Sequence, residues 1–463
     1  MSLSLADLSG CFEGVIPSVV ATVAEDGTPN VSYLSHVVRV DEAHVALSNQ
    51  FFTKTAANLR ANPVATLLLV DGRDGRQFRL GLSFQRRMEE GPLFVRVAAL
   101  LAATSAQVGM AGVMRLRSVD VFRVEDIVEC PSPEGGTPAP VAREPSLAEV
   151  AAVVERIAGE SELIGVVDEI LQGLNRHFGY RHVMVLVGPN GGPGGGASPA
   201  ASEGAGAEGS GGTLTTIGSL GYERSGIGSE VAVGEGVIGM AAARGHTVKV
   251  SDMSRVRRYG AAVRQAGADE DRSRMIALPG LADAMSQIAV PMMAHGSVQG
   301  VIFVESRERL AFGTSAETGL AIVAHQAAQA VALAEMLARE SASDEGEGAA
   351  EKPPEATFQV DHHAFDDSVF IDGRYVIKGV AGRVLVHLLD AYLRETRTDF
   401  SNREIRLARD LRLPDYKDNL ETRLLLLQRR LDERALPVRL LRQGRGQIRL
   451  VLKGQPVLRH LDR

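Results

Sequence analysis

The chain has 463 residues but only two cysteines, no tryptophan and 5% aromatic residues. Cys11 and Cys130 alone supply neither a disulfide framework nor a CxxC metal knuckle, so a reducing cytoplasm is the expected setting. No apolar run is long enough to span a bilayer, and the first residues show no basic segment leading into an apolar one. Neither a membrane partner nor a secretory signal is therefore expected. Self-similarity at solenoid period is also missing.

What is present falls into blocks. At 45% apolar and 23% charged the composition is that of a globular protein, and the length predicts two to four domains. Residues 131–145 (PSPEGGTPAPVAREP) read as a Pro/Gly-rich linker and 339–356 as an acidic one. Residues 188–212 (GPNGGPGGGASPAASEGAGAEGSGG) read as a disordered loop inside the middle block. The expected domains are thus 1–130, 146–338 and 357–463. The last block holds 21 Lys and Arg against 15 Asp and Glu, a net of +6; the whole chain is −7, which leaves −13 for the rest. A basic end on an acidic body suggests that one module meets a polyanion.

In the first block, β-branched residues at 17–24, the turn Glu25-Asp26-Gly27-Thr28 and the segment 30–40 predict a hairpin. Further strands are expected at 44–48, 64–70, 77–84 and 112–125, with helices at 55–61 and 93–106. Many short antiparallel strands suggest a small barrel. Asn49, Gln50, Thr53, Lys54 and Thr55 lie where a strand passes into a helix. Hydroxyls, a lysine charge and free helix N–H groups there read either as a phosphate seat or as an N-cap. His36 reads either as a packed strand histidine or as a ligand contact.

The stretches ATVAEDGTPNVSYLSHVV, FFTKTAANLRANP and QRRMEEGPLF resemble the pyridoxamine 5′-phosphate oxidase-like, FMN-binding split-barrel family, over residues 10–130. The resemblance implies FMN as cofactor, with its phosphate on Thr53, Lys54 and Thr55. It places the isoalloxazine along Ser32, Ser35 and His36, and implies a homodimer with the flavin at the interface. The family often carries a second basic residue where Thr55 stands. Any chemistry would belong to the flavin, since no Cys, Ser/His/Asp set or metal cluster supplies a catalytic constellation.

The middle block begins with a long amphipathic helical stretch, 147–178, broken near Gly159-Glu160-Ser161, and closes with an Ala-rich helix at 315–338. GEGVIGMAAARGHTVKVSD and SQIAVPMMAHGSVQGVIFVESRERLAFGTSAETGLAIVAHQAAQAV resemble a GAF domain. The resemblance implies an α/β sandwich that dimerises or binds a small-molecule effector. A thioether-linked bilin is excluded because no Cys lies beyond 130. The Asn-Lys and Asp of the cyclic-nucleotide pattern are also missing. Arg255, Arg257 and Arg258 read as a solvated loop or an anion contact.

In the last block, short strands at 368–370 and 374–377 precede helices at 382–394, 401–410 and 418–434, then a hairpin at 438–452. At 100° per residue, Asn419, Arg423, Arg430 and Arg434 fall within an arc of about 60°. Leu420, Leu424, Leu427 and Leu431 fall on an adjoining arc that faces a core. Such a helix suits a major groove, and it also reads as a solvated Arg-rich helix. Arg442 and Arg445 on the hairpin would follow a backbone or minor groove. The order of elements resembles the winged helix of response-regulator transcription factors, without a receiver domain. The expected fold class is thus multidomain α+β: split β-barrel, GAF α/β sandwich, winged helix. The expected function is a one-component regulator in which FMN barrel and GAF domain control DNA binding. The alternative is an FMN-dependent oxidoreductase with regulatory GAF and C-terminal domains.

Overall fold

The computed structural model describes residues 3–50, 53–107, 115–131, 143–190, 212–254, 274–340, 356–408, 411, 420–443 and 446–461. The expected loop at 188–212 and the linkers at 131–145 and 339–356 lie largely outside the described residues, as do Arg255, Arg257 and Arg258.

The first unit opens with a 3-10 helix, Leu5–Glu13. It continues through β1 (Ser18–Val23), β2 (Pro29–Leu34), β3 (Val37–Arg39), β4 (His44–Asn49), α1 (Thr53–Ala61), β5 (Val64–Val70), β6 (Gln77–Met88), α2 (Pro92–Gln107) and β7 (Ser118–Cys130). The strands form one sheet in the order β2-β1-β5-β6-β7-β4-β3. The β1–β2 turn is tight because Gly27 takes φ 82 and Thr28 N donates to Asp26 Oδ1 at 2.9 Å. The single strand expected over 30–40 is instead two. β2 pairs with β1 at one sheet edge and β3 with β4 at the other. Ser35 and His36 join the two edges, which a two-residue link spans only if the sheet curls until they nearly meet. Alternate residues of β5 (Ala65, Leu67, Leu69) point inward to Phe78, Leu80 and Phe122.

The second unit comprises α3 (Leu147–Ala158), α4 (Leu163–Phe178), β8 (His182–Asn190), β9 (Thr213–Leu220), β10 (Glu230–Ala232), α5 (Gly236–Arg244), β11 (Val248–Val250), β12 (Ser286–Ala294), β13 (Ser297–Ser306) and α6 (Thr314–Glu340). The sheet order is β10-β9-β8-β13-β12-β11. One core packs α3, α4 and α6 on the sheet through Val153, Ile170, Leu174, Leu320 and Val323. A second, with Val237, Ile238 and Ala241 of α5, fills the other face. The expectation that no apolar run is long enough to span a bilayer needs one correction: Thr314–Leu337 is long and apolar enough by length and composition. Here Ala316, Ala324, Ala327 and Val331 turn that apolarity into the domain core.

The third unit comprises β14 (Thr357–His363), β15 (Ser368–Ile371), β16 (Arg374–Ile377), α7 (Gly379–Glu395), β17 (Asp399–Ser401), α8 (Asn402–Leu407), α9 (Leu420–Glu433), β18 (Val438–Arg442), β19 (Gln447–Leu452) and β20 (Gln455–Leu461). Leu420, Leu424, Leu427 and Leu431 of α9 are buried with Val384 and Leu388 of α7, as their arc requires. β14 pairs in parallel with β20, Thr357 opposite Gln455, a contact without a local sequence signal.

Candidate functional site

β4 ends at Asn49 and α1 starts at Thr53, so the first turn of α1 borders a cleft of about 320 Å³. Asn49, Thr53, Arg60, Arg87, Arg117 and Ser118 line it, with Glu89 as the one carboxylate among them. Arg60 follows Thr53 by seven residues, two turns on, which returns it to the same helix face. Arg117 arrives because Ser118 pairs with Asn49 across the β4–β7 ladder and Arg117 N donates to Asn49 O at 2.9 Å. Arg87 forks onto buried Asp120 at 2.7 and 3.0 Å, and that pairing raises the Arg87 pKa above its ordinary value. Guanidiniums, hydroxyls and a helix N-terminus converge here, a donor set that suits a phosphate.

The expected phosphate residues part company in the structure. Thr53 and Lys54 are exposed at the start of α1, and Thr53 faces the cleft. Thr55 is buried: Asn30 Nδ2 donates to its hydroxyl at 3.0 Å, and Ser32 Oγ lies 3.0 Å away. Thr55 and Ser32 therefore tie α1 to β2. Arg60 and Arg117 supply cationic donors beyond the residues expected from the sequence. The repeat of Thr53's helix face at Arg60 was a usable signal; Arg117 left none.

The β2–β3 break is held from the β4 side. Gln50 Nε2 donates to Ser35 Oγ at 3.2 Å, and His36 N donates to Ser48 Oγ at 3.2 Å. Gly14, at φ 68, lies against the His36 ring; a Cβ there would sit 3.2 Å from its Cδ2. The His36 Nδ1 is shut off from solvent, and burial pulls the imidazole pKa down to about 4. His36 borders a second cavity, between the first and second units, that excludes Asn49 and Thr53. The residues expected around one cofactor are thus divided between two places.

The third unit holds a larger departure. Of the residues expected to meet DNA, Arg430 is 2% exposed; its Nε donates to Val376 O at 3.1 Å and it pairs with Glu433 at 3.3 Å. Arg423 and Arg434 are half-buried, Arg442 pairs with Glu421 at 2.5 Å, and Asn419 and Arg445 lie outside the described residues. The remaining face of α9 is docked on the second unit. Leu425 enters the core of α4 and α6. Arg429 donates to Ile217 O at 2.8 Å and to Asp168 at 2.5 Å, and Glu433 accepts from Ser225 at 2.5 Å. Leu425 and Arg429, which belong to neither the basic arc nor the leucine arc, thus face the second unit.

Comparison with known proteins assigns the first two units. The pyridoxamine 5′-phosphate oxidase family model matches residues 10–125, and the GAF domain model matches residues 162–331. The first unit is a pyridoxamine 5′-phosphate oxidase-like domain, and the second is a GAF domain. No curated protein matches the chain. Among solved structures, an FMN-binding protein from Syntrophomonas wolfei is similar at 16% identity and TM-score 0.24, over 28% of this chain and 88% of that one. The GAF domain of an Acinetobacter phosphoenolpyruvate-protein phosphotransferase is similar at 17% and 0.30, over 41% and 95%. A free methionine-R-sulfoxide reductase from Neisseria meningitidis is similar at 20% and 0.28, over 40% and 88%. The α1 cleft lies within the oxidase-like domain, and the α9 docking face lies on the GAF domain.

Proposed function

We propose that the chain is a one-component transcriptional regulator. The oxidase-like domain holds FMN with its phosphate in the α1 cleft, and the GAF domain binds a small effector or pairs two chains. The third unit is a winged helix that binds DNA. The observation that carries the reading is the order α7, β17, α8, α9 and the β18–β19 hairpin in a block of net charge +6, joined to two ligand-binding domain types. In this reading the described arrangement is the DNA-free one, because α9 is held on the GAF domain through Arg429 and Leu425. Signal reception releases α9, which frees the Arg429 face of the helix for DNA.

The test is capture of sheared genomic DNA by the full-length chain and by Asp168→Ala, sequenced after a salt wash. A few defined sites, enriched more strongly by Asp168→Ala, are expected. Binding that is sequence-indifferent and vanishes with salt would remove the regulator reading. Steady nicotinamide- or deazaflavin-linked turnover alongside that result would put a flavin-dependent oxidoreductase in its place.

A further inference from the structure

β20 is an edge strand of the third unit, paired with β14 alone among the described residues. The parallel register sets His362 opposite His460. Their rings meet at the same ends: Nδ1 of His362 lies 3.2 Å from Nδ1 of His460, with the ring planes at 83°. The two residues are 98 apart in the chain, so no motif announces the pair.

The other nitrogen of His362 decides what faces His460. Nε2 lies 3.3 Å from Asp367 Oδ1, and Arg383 Nη1 donates to Asp367 Oδ2 at 3.0 Å. A carboxylate paired with a guanidinium only accepts, so Nε2 carries the His362 proton. The lone pair of neutral His362 is then on Nδ1, the atom nearest His460. A carboxylate on the far nitrogen is also what orients a metal-ligating imidazole and raises its basicity. The separation fits a shared ion. Two imidazole nitrogens bound at about 2.0–2.1 Å to one tetrahedral ion stand about 3.3 Å apart. His362 is buried and His460 exposed, so an ion reaches the pair from solvent while one ligand stays fixed by packing. Without metal, an N–H···N hydrogen bond fills the same gap, and the ion takes the place of that proton.

We propose that His362 and His460 form a binding site for one divalent transition-metal ion of the kind imidazole favours, such as Zn²⁺ or Ni²⁺, across β14 and β20. No group of three or more His, Cys, Asp or Glu among the described residues could hold a metal. Water therefore completes the coordination, and with two protein ligands instead of the four of a structural site the ion is exchangeable. Asp367 is a positioning residue, held in turn by Arg383. The ion ties edge strand β20 to its sheet, so binding to the folded chain stabilises the third unit. The site is separate from the α1 cleft and does not depend on the DNA reading.

The experiment is a calorimetric titration of the untagged, full-length, chelator-treated chain with Zn²⁺ and with Ni²⁺, repeated on His460→Ala and Asp367→Asn. The wild type should show a saturable site that is lost in His460→Ala. Asp367→Asn should weaken it by about tenfold to a hundredfold. Asn tolerates the φ of 56 at that position. Because His460 is exposed, His460→Ala should keep the wild-type circular dichroism and melting temperature in chelator. Zn²⁺ should then raise the melting temperature of the wild type and leave that of His460→Ala unchanged. Equal binding by the wild type and His460→Ala would overturn the proposal, as would a wild type without saturable binding. Unchanged affinity in Asp367→Asn would overturn the role given to Asp367.

Discussion

His36 shows how one side chain turns burial into a pH response. Its pKa falls from 6.5 to about 4 on folding, because burial disfavours the imidazolium. Between those values the unfolded chain binds a proton that the folded chain refuses, so stability falls as the pH drops from 6.5 toward 4. The limiting slope is about 1.4 kcal/mol per pH unit for one such group. Burial lowers His182 and His246 too, with the same sign. Urea midpoints of the wild type should drop across that window, and those of His36→Asn should drop less; parallel curves would mean that His36 is not the responsible group. Cys11 behaves in the opposite sense: burial pushes its thiol up to about 12, so it should resist alkylation by iodoacetamide at pH 8 while the protein stays folded.

The α1 cleft permits a comparison between single cations. Lys54 is exposed and outside the lining, whereas Arg60 and Arg117 border the cleft. If FMN phosphate sits there, Arg60→Ala and Arg117→Ala should each weaken FMN retention by about tenfold, and Lys54→Ala by less. Equilibrium dialysis against free FMN ranks the three. A larger loss with Lys54→Ala would move the phosphate out of the cleft and back to the loop end.

Among whole elements, α9 answers to two cores. Leu420, Leu424, Leu427 and Leu431 serve its own unit, while Leu425 serves the GAF core. Leu425→Ala should therefore do more than open a cavity worth about 2–5 kcal/mol. It should raise amide exchange in α4 as well as in α9. Arg429 is 14% exposed and Asp168 57% exposed, so removing the carboxylate with Asp168→Ala should cost only about 1 kcal/mol of docking. That small cost makes Asp168→Ala the gentler probe of release. The β2–β3 segment is a second instructive element. Its residues have strand propensity throughout, yet pairing at two different edges demands a break, and Ser35 and His36 absorb it.

For the whole molecule, the outer face of edge strand β2 is conspicuous. Val31 is 62% and Tyr33 76% exposed, with Val64 also exposed nearby on β5. An apolar stripe on a sheet edge invites pairing with a second chain. The expected homodimer should appear in sedimentation velocity at micromolar protein, and Tyr33→Arg should shift it to monomer. A monomeric wild type would leave this stripe without a partner.

Local composition decided much of this architecture. Period-two alternation in β5, the Asp26-Gly27 turn, the apolar stripes of α3 and α4 and the leucine arc of α9 are properties of neighbouring residues, so they were legible before folding. The motifs that place the oxidase-like and GAF domains are likewise contiguous stretches. Contacts between distant segments were not legible, because no local pattern encodes a partner. The pairing of β14 with β20, the arrival of Arg117 beside Thr53 and the inward turn of Thr55 all depend on residues far apart in the chain. The same holds for α9. Its helical periodicity separates a leucine face from a basic one, but a second hydrophobic neighbour can cover the basic side, since arginine stems and guanidiniums pack on protein surface as readily as they meet solvent. Folding against the GAF domain settled which of those environments Arg429 and Leu425 occupy.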